Sequence, residues 1–171
     1  MRLHIGGKER REGWTLLDAA PGPHVDVVGH CGDLSRFADG SVEEIYASHV
    51  LEHLSYVGEL PAALKEWHRV LAPGGRALIS VPDFEILCQL FVDPSRDPRE
   101  RYHLMRMAFG GQTDPHDFHR VGLTGEFLTL FLQGAGFGRV EAVEKFGLFE
   151  DSSEQEFGGV PISLNVIAWK D

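Results

Sequence analysis

The chain of 171 residues is 43% hydrophobic and 25% charged, a composition typical of a globular domain with a substantial core. Its formal net charge of -10 argues against a nucleic-acid backbone or an anionic membrane as the main partner, because both bind clustered Lys and Arg. Cys31 and Cys88 lie far apart without a CxxC spacing, which favours a reducing compartment. We therefore expect a cytoplasmic protein with a single domain over residues 1–171.

Short apolar segments dominate the first half of the chain. They predict strands over residues 2–5, 14–17, 25–28, 44–47 and 76–81. Between the last two, apolar residues recur at helical spacing over residues 60–71, and Pro73-Gly74-Gly75 ends this helix. Strand, helix and strand in this order form a βαβ unit.

The second half predicts helices over residues 84–91, 99–108 and 125–133, and a final antiparallel pair of strands over 138–145 and 163–169. A polar tract lies within a lid or substrate segment over about residues 94–123, and residues 150–159 are expected to form an exposed acidic loop. The alternation predicts an α/β three-layer sandwich, with a mostly parallel, doubly wound sheet and a C-terminal antiparallel hairpin.

The connection between the first two strands is unusually short. Only six residues, 8–13, separate Gly7 from Trp14. A parallel crossover that contains a helix needs roughly a dozen residues. If these strands are parallel neighbours, a loop replaces the first crossover helix.

Polar residues follow two of the predicted strands. Ser48 and His49 follow one strand, and Asp83 follows the next one along the chain. Ligands of such sheets bind at the carboxyl ends of the strands, so we expect a site at this edge.

Taken together, these segments resemble the class I S-adenosylmethionine (SAM)-dependent methyltransferases, in their type 11-like branch. The resemblance covers nearly the whole chain and implies a Rossmann-like methyltransferase fold with SAM as cofactor. The motifs that carry it are Leu3-His4-Ile5-Gly6-Gly7, Gly13-Trp14 with Asp18, Gly32-Asp33-Leu34, Ile45-Tyr46-Ala47-Ser48-His49-Val50-Leu51-Glu52-His53 and Leu64-Lys65-Glu66-Trp67-His68-Arg69-Val70-Leu71-Ala72-Pro73-Gly74-Gly75.

The resemblance also implies roles for seven residues in cofactor binding. The glycine turn would let the backbone approach the methionine end of SAM, and the acid after the second strand would accept both ribose hydroxyls. A second acid would accept the adenine amino group while the leucine beside it packs on the adenine ring. The last two residues would line the pocket beside the transferable methyl. The glycine turn is Gly6 and Gly7, the acid at the ribose is Asp18, the pair at the adenine is Asp33 and Leu34, and the two residues beside the methyl are Ser48 and His49.

Three histidines are candidate general bases for an acceptor. They are His53, His116 and His119. We expect a small-molecule or sugar-like acceptor, and the net charge argues against a nucleic acid or a membrane as partner. The chain departs from the family where the third glycine and the following helix are missing. A methyltransferase-fold domain that binds a partner or ligand without catalysis is therefore the alternative.

Two short histidine motifs bear on metal binding. Residues 49–53 spell H-x-x-E-H, the pattern of an inverted zincin. The motif directly follows a predicted strand, and a third ligand would have to come from a distant part of the chain. His116 and His119 form an H-x-x-H pair in the polar tract and are candidates either for a metal or for an acceptor proton. We assign no metal from the sequence.

Overall fold

The computed structural model describes all residues, 1–171. Its centre is a seven-stranded sheet in the order β3-β2-β1-β4-β5-β9-β6. The strands are β1 (Arg2–Ile5), β2 (Trp14–Asp18), β3 (Val27–Val28), β4 (Val42–Ser48), β5 (Leu71–Pro82), β6 (Arg139–Val143), β7 (Glu156–Phe157), β8 (Val160–Pro161) and β9 (Ser163–Trp169). Strands β1 to β5 pair in parallel, and β9 runs antiparallel between β5 and β6. The predicted fold class, including its C-terminal antiparallel hairpin, is confirmed.

Four α-helices lie between β4 and β6 along the chain: α1 (Glu59–Val70), α2 (Phe84–Val92), α3 (Pro98–Phe109) and α4 (Gly125–Gly134). Their bounds agree with the prediction to within one or two residues. Strand β5 begins earlier than predicted, because Leu71 leaves the helix directly in an extended conformation and pairs with Val42.

Helices cover one face of the sheet. The apolar stripe of α1 packs on side chains that alternate strands present to this face, such as Ile45 and Ile79, and α4 packs beside it. Trp67 is fully buried at the centre, and its indole nitrogen donates a hydrogen bond to the Cys31 carbonyl over 2.8 Å. The link between β3 and β4 contributes Leu34 and Phe37 to the same core.

The opposite face is covered without a crossover helix. Strands β1 and β2 are parallel neighbours joined by a loop, so the expected loss of the first crossover helix is confirmed. Trp14, Tyr46, Leu78 and Phe149 form a buried cluster on this face, and Phe149 comes from the chain that follows β6. These large side chains bury the apolar area that a helix would otherwise cover.

Helices α2 and α3 pack on each other and on the small β7–β8 hairpin region. Each helix begins at an aspartate: Asp83 accepts from two backbone amides of α2, and Asp97 forms a capping box with Glu100. The backbone amide of Asp83 donates to the Ile162 carbonyl. The helix pair is thereby fixed at the carboxyl end of β5, next to the expected site. No helix of the chain has both the length and the apolar character to cross a bilayer.

Candidate active site

The turn after β4 is held in an uncommon backbone conformation. His49 has a φ of 54°, which non-glycine residues rarely adopt, and its amide donates to the Ser80 carbonyl over 2.9 Å. A short 3-10 helix, Leu51–His53, follows immediately. The polar residues of this segment are thereby gathered at the carboxyl edge of the sheet.

A cavity of about 490 Å³ lies over the turn after β1, and we call it the glycine-turn cavity. Gly6 has a φ of 73°, and a Cβ there would lie 2.6 Å from Val50 Cγ2. A Cβ on Gly7 would overlap the ring of His4. Both positions therefore require glycine, which makes room for Val50 and His4, and both glycines line the cavity.

The lining of this cavity is acidic. Its charged residues other than histidine are Lys8, Glu9, Glu150, Asp151 and Glu154. Four carboxylates against one ammonium give a negative potential, which favours a cationic ligand group.

The expectation of a solvated loop holds for Asp151 and Ser152, which are exposed, but Ser153 is buried. Asp151 also lines this cavity, which was not expected. Its carboxylate accepts hydrogen bonds from the Tyr46 hydroxyl over 2.7 Å and from the Ser48 hydroxyl over 3.1 Å. Ser153 is buried, and its amide donates to the same carboxylate. Because Tyr46 and Ser48 lie 105 and 103 residues before Asp151 in the sequence, no local pattern could have identified their contacts with it.

The acids expected to bind the adenosine part lie at the ends of neighbouring strands. Asp18 ends β2, and its carboxylate accepts from the Ala20 amide over 2.7 Å. Asp33 is exposed in a turn, where hydrogen bonding from Ser35 lowers the pKa of its carboxyl. Neither acid lines the two main cavities.

Leu34 does not occupy the expected place. Its side chain is fully buried in the core beneath α1, so it presents no surface on which an adenine ring could pack. Leu34 instead packs in the main core cluster with residues of α1 such as Trp67.

A second cavity, of about 290 Å³, lies between the sheet edge and the helices, and we call it the helical cavity. Six of its twelve lining residues are polar or charged, and His49 and Gln155 line both cavities. The residues that line the helical cavity are His49, Pro82, Leu87, His103, Arg106, Met107, Gly110, Gly111, Asp117, His119, Gln155 and Ile162.

A buried carboxyl lies beside the helical cavity, surrounded by histidines. Glu52 is 1% exposed, and its carboxylate oxygens have no hydrogen-bond partner. His49 Nδ1 lies 3.5 Å and His119 Nε2 lies 4.0 Å from Glu52 Oε1, and the rings of His53 and His119 are 5.0 Å apart. The Arg120 amide donates to the Glu52 carbonyl over 2.7 Å, which ties the 94–123 segment to this group.

Burial shifts the protonation of this group toward uncharged forms. It raises the pKa of Glu52 to about 8 and lowers the pKa of His49 to about 4. The pKa of His119 is also lowered, first by burial and then by the nearby His53. Two of the three predicted bases, His53 and His119, therefore come together in the structure. His116 is exposed, and lines neither cavity.

The order of the sheet, with one antiparallel strand between β5 and β6, and the ligand-sized cavity at its carboxyl edge define a Rossmann-like methyltransferase fold. A family model described as "Methyltransferase domain" matches residues 15–79. The match spans 65 of the 171 residues, and over this part the chain is similar to methyltransferase domains. The match includes Asp18, Asp33, Ser48 and His53, and begins after the glycine turn.

Solved structures with this fold cover nearly the whole chain. A possible exported protein of Bordetella parapertussis is 13% identical with a TM-score of 0.60, and covers 99% of this chain, which spans 61% of that one. A SAM-dependent methyltransferase of Thermotoga maritima, a possible histamine N-methyltransferase, is 18% identical with a TM-score of 0.58, over 99% of this chain and 82% of its own.

The third structure is the 1,6-didemethyltoxoflavin-N1-methyltransferase of Burkholderia thailandensis, with bound 1,6-didemethyltoxoflavin and S-adenosylhomocysteine. It is 15% identical with a TM-score of 0.60, over 99% of this chain and 70% of its own. At these identities the likeness shows the fold. A search of the curated proteins finds no match.

Proposed function

We propose that the chain catalyses methyl transfer from SAM to a small, polar, sugar-like acceptor. The observation that carries this proposal is the pair of cavities that share His49 and Gln155 at the carboxyl edge of the sheet. One lies over the glycine turn and the other under the helices. Two ligands in adjoining cavities can meet at the shared residues, which is the positioning that methyl transfer requires.

The residues of the glycine-turn cavity fit the reactive end of SAM. The turn at Gly6 and Gly7 admits the close approach of a ligand, and the acidic lining favours its sulfonium cation. We place Asp18 at the ribose hydroxyls and Asp33 at the adenine amino group, because both follow neighbouring strands of the same edge. Leu34 has no part in this proposal. The bound cofactor supplies an electrophilic methyl group.

The helical cavity fits a polar acceptor. Arg106, His103, Asp117 and Gln155 present donors and acceptors to it, and three of its twelve lining residues are hydrophobic. These groups can hydrogen-bond the hydroxyls of a sugar-like molecule, and the apolar part of the lining, with Leu87, Met107 and Ile162, can pack on its carbon skeleton. The Burkholderia relative, solved with a small-molecule ligand, is an example of such use of the fold.

His119 is the best-placed general base. It lines the helical cavity, and burial lowers its pKa, so its imidazole is neutral at pH 7 and can accept a proton from an acceptor hydroxyl or amine. His53 lies edge-on to it and fixes the ring. We leave His116 out of the reaction because of its exposed position.

The test is the shift in thermal unfolding that S-adenosylhomocysteine produces. A ligand at a hundred times its Kd stabilises the folded state by about 2.7 kcal/mol, which raises the unfolding midpoint of a domain of this size by roughly 5 to 10 °C. We expect this shift in the wild type and its loss in Asp18→Asn, which keeps the oxygen that accepts from Ala20.

Asp39→Asn is the matched control. Asp39 is exposed, and its ion pair with Arg69 lies at the opposite edge of the sheet, so this variant should keep the full shift. Each variant's midpoint without ligand reports its folding in the same experiment. An equal shift in both variants would contradict the role of Asp18. No shift in the wild type would contradict cofactor binding.

A further inference from the structure

The surroundings of Glu52 contain no hydrogen-bond donor for its carboxylate. The hydroxyl of Ser163 donates to the Ser152 carbonyl over 2.6 Å, so it is the acceptor toward His49 Nε2 at 3.2 Å. The ring proton of His49 is therefore on Nε2, and the Nδ1 that faces Glu52 carries a lone pair. This lone pair lies 3.5 Å from Glu52 Oε1 in a buried place, and the carboxyl oxygens of Glu52 have no hydrogen-bond partner.

His53 also has one ring nitrogen with a free lone pair, because its other ring nitrogen is a hydrogen-bond donor. Its Nδ1 donates to the Phe118 carbonyl over 3.2 Å, so Nε2 carries the lone pair. In histidines that bind metals, the N–H of the other ring nitrogen typically donates a hydrogen bond to a carbonyl or carboxylate in this way. The Phe118 carbonyl thus holds His53 in the tautomer that a metal needs.

The spacing of the group suits a cation better than a proton. Separations of 3.5 and 4.0 Å between Glu52 Oε1 and the two histidine nitrogens are too long for good hydrogen bonds. With metal–ligand bonds of about 2.0–2.1 Å, two ligands of a tetrahedral ion lie roughly 3.4 Å apart. One ligand atom each from Glu52, His53 and His119 lie within 4.8 Å of one another, so binding requires these atoms to approach one another by at most about 1.4 Å.

We propose that Glu52, His53 and His119 bind a divalent transition-metal ion. His49 Nδ1 faces the same carboxylate and is available as a further ligand. Imidazole-rich sets of this kind favour Zn²⁺ over Mg²⁺ or Ca²⁺, which prefer oxygen ligands. The buried carboxylate, which has no partner of its own, supplies the negative charge that offsets the ion.

The ion would lie beside the helical cavity, which His49 and His119 both line. With the ion bound, His119 would serve as a ligand instead of the base, and an open coordination position would bind an acceptor oxygen and lower its pKa, which makes it a better nucleophile. This consequence rests on the proposed function, whereas the binding of the metal does not.

The test is calorimetric titration of the full chain with Zn²⁺ at pH 7.5, after chelator treatment and without SAM. We expect one ion per chain with a sub-micromolar Kd, and binding of Mg²⁺ at least ~100-fold weaker. Glu52→Gln keeps the shape of the side chain and removes its charge, and His119→Asn removes one ligand. Each should weaken Zn²⁺ binding by roughly 100-fold or more.

His116→Asn is the matched control, since it removes an exposed histidine three residues from His119 and should leave the Kd unchanged. The unfolding midpoints of the metal-free variants show whether they fold. Absence of stoichiometric binding to the wild type would overturn the proposal, as would binding that persists in folded Glu52→Gln and His119→Asn. SAM binding that survives while Zn²⁺ binding fails would refute the metal site alone.

Discussion

The contact between Gly7 and His4 gives a prediction that can be worked from the structure. A Cβ on Gly7 would overlap the His4 ring, which is itself enclosed by Trp14, Tyr46 and Phe149. His4 is 3% exposed, so its ring has no free space to move into. Overpacking of this kind typically costs about 1–3 kcal/mol. We expect Gly7→Ala to lower the free energy of unfolding by that amount.

A double-mutant cycle identifies the cause. In a His4→Ala background the overlapping ring is gone, so Gly7→Ala should cost less than about 0.5 kcal/mol there. Gly134→Ala is the control, because a Cβ at that position in α4 meets no atom within 4 Å. It should be neutral or should stabilise the protein by up to about 1 kcal/mol.

Urea-induced unfolding of the five proteins at pH 7.5 measures these free energies. An interaction energy between positions 4 and 7 of at least about 1 kcal/mol would support the packing described. If Gly7→Ala costs the same with and without His4, the glycine requirement has another origin and the contact is not its cause.

Two further predictions concern the buried face that carries Asp151. Burial lowers the pKa of His4 to about 4, against an opposing effect of Asp151, so the unfolded chain binds a proton that the folded chain does not. The contribution of neutral His4 to the free energy of unfolding is thus complete above pH 6.5 and falls by about 1.4 kcal/mol per pH unit toward pH 4. His4→Phe should flatten this part of the plot of unfolding free energy, measured in urea, against pH. An unchanged slope would refute the role given to His4. Tyr46→Phe removes the hydroxyl that donates to Asp151 and should lower stability by about 1–2 kcal/mol, whereas no loss would mean that the hydrogen bond contributes nothing.

The fold could be predicted because its signals are local. Strands and helices follow from apolar periodicity, and the short link from Gly7 to Trp14 showed that a crossover helix was missing. Residues at strand ends, such as Ser48 and His49, were found by the same reasoning, because the carboxyl edge of a parallel sheet is defined by topology.

The tertiary contacts of the site could not be predicted. The burial of Glu52 depends on the 94–123 segment, which closes over it through Arg120. Leu34 looked like an adenine contact because the motif around it was matched, but its side chain is fully buried in the core beneath α1. Asp151 lay in a stretch with a solvated composition, and only the folded chain brings it to Tyr46.

The central claim is that the glycine turn and the acids around it bind SAM. Calorimetric titration of the stripped wild-type protein with SAM and with S-adenosylhomocysteine tests it most directly, at ~100 μM protein, where a site with a Kd of ~10 μM is readily detected. The account predicts saturable one-to-one binding of both ligands with a micromolar or lower Kd. Absence of binding by either ligand would contradict it and would leave a methyltransferase fold whose shortened first loop no longer holds the cofactor.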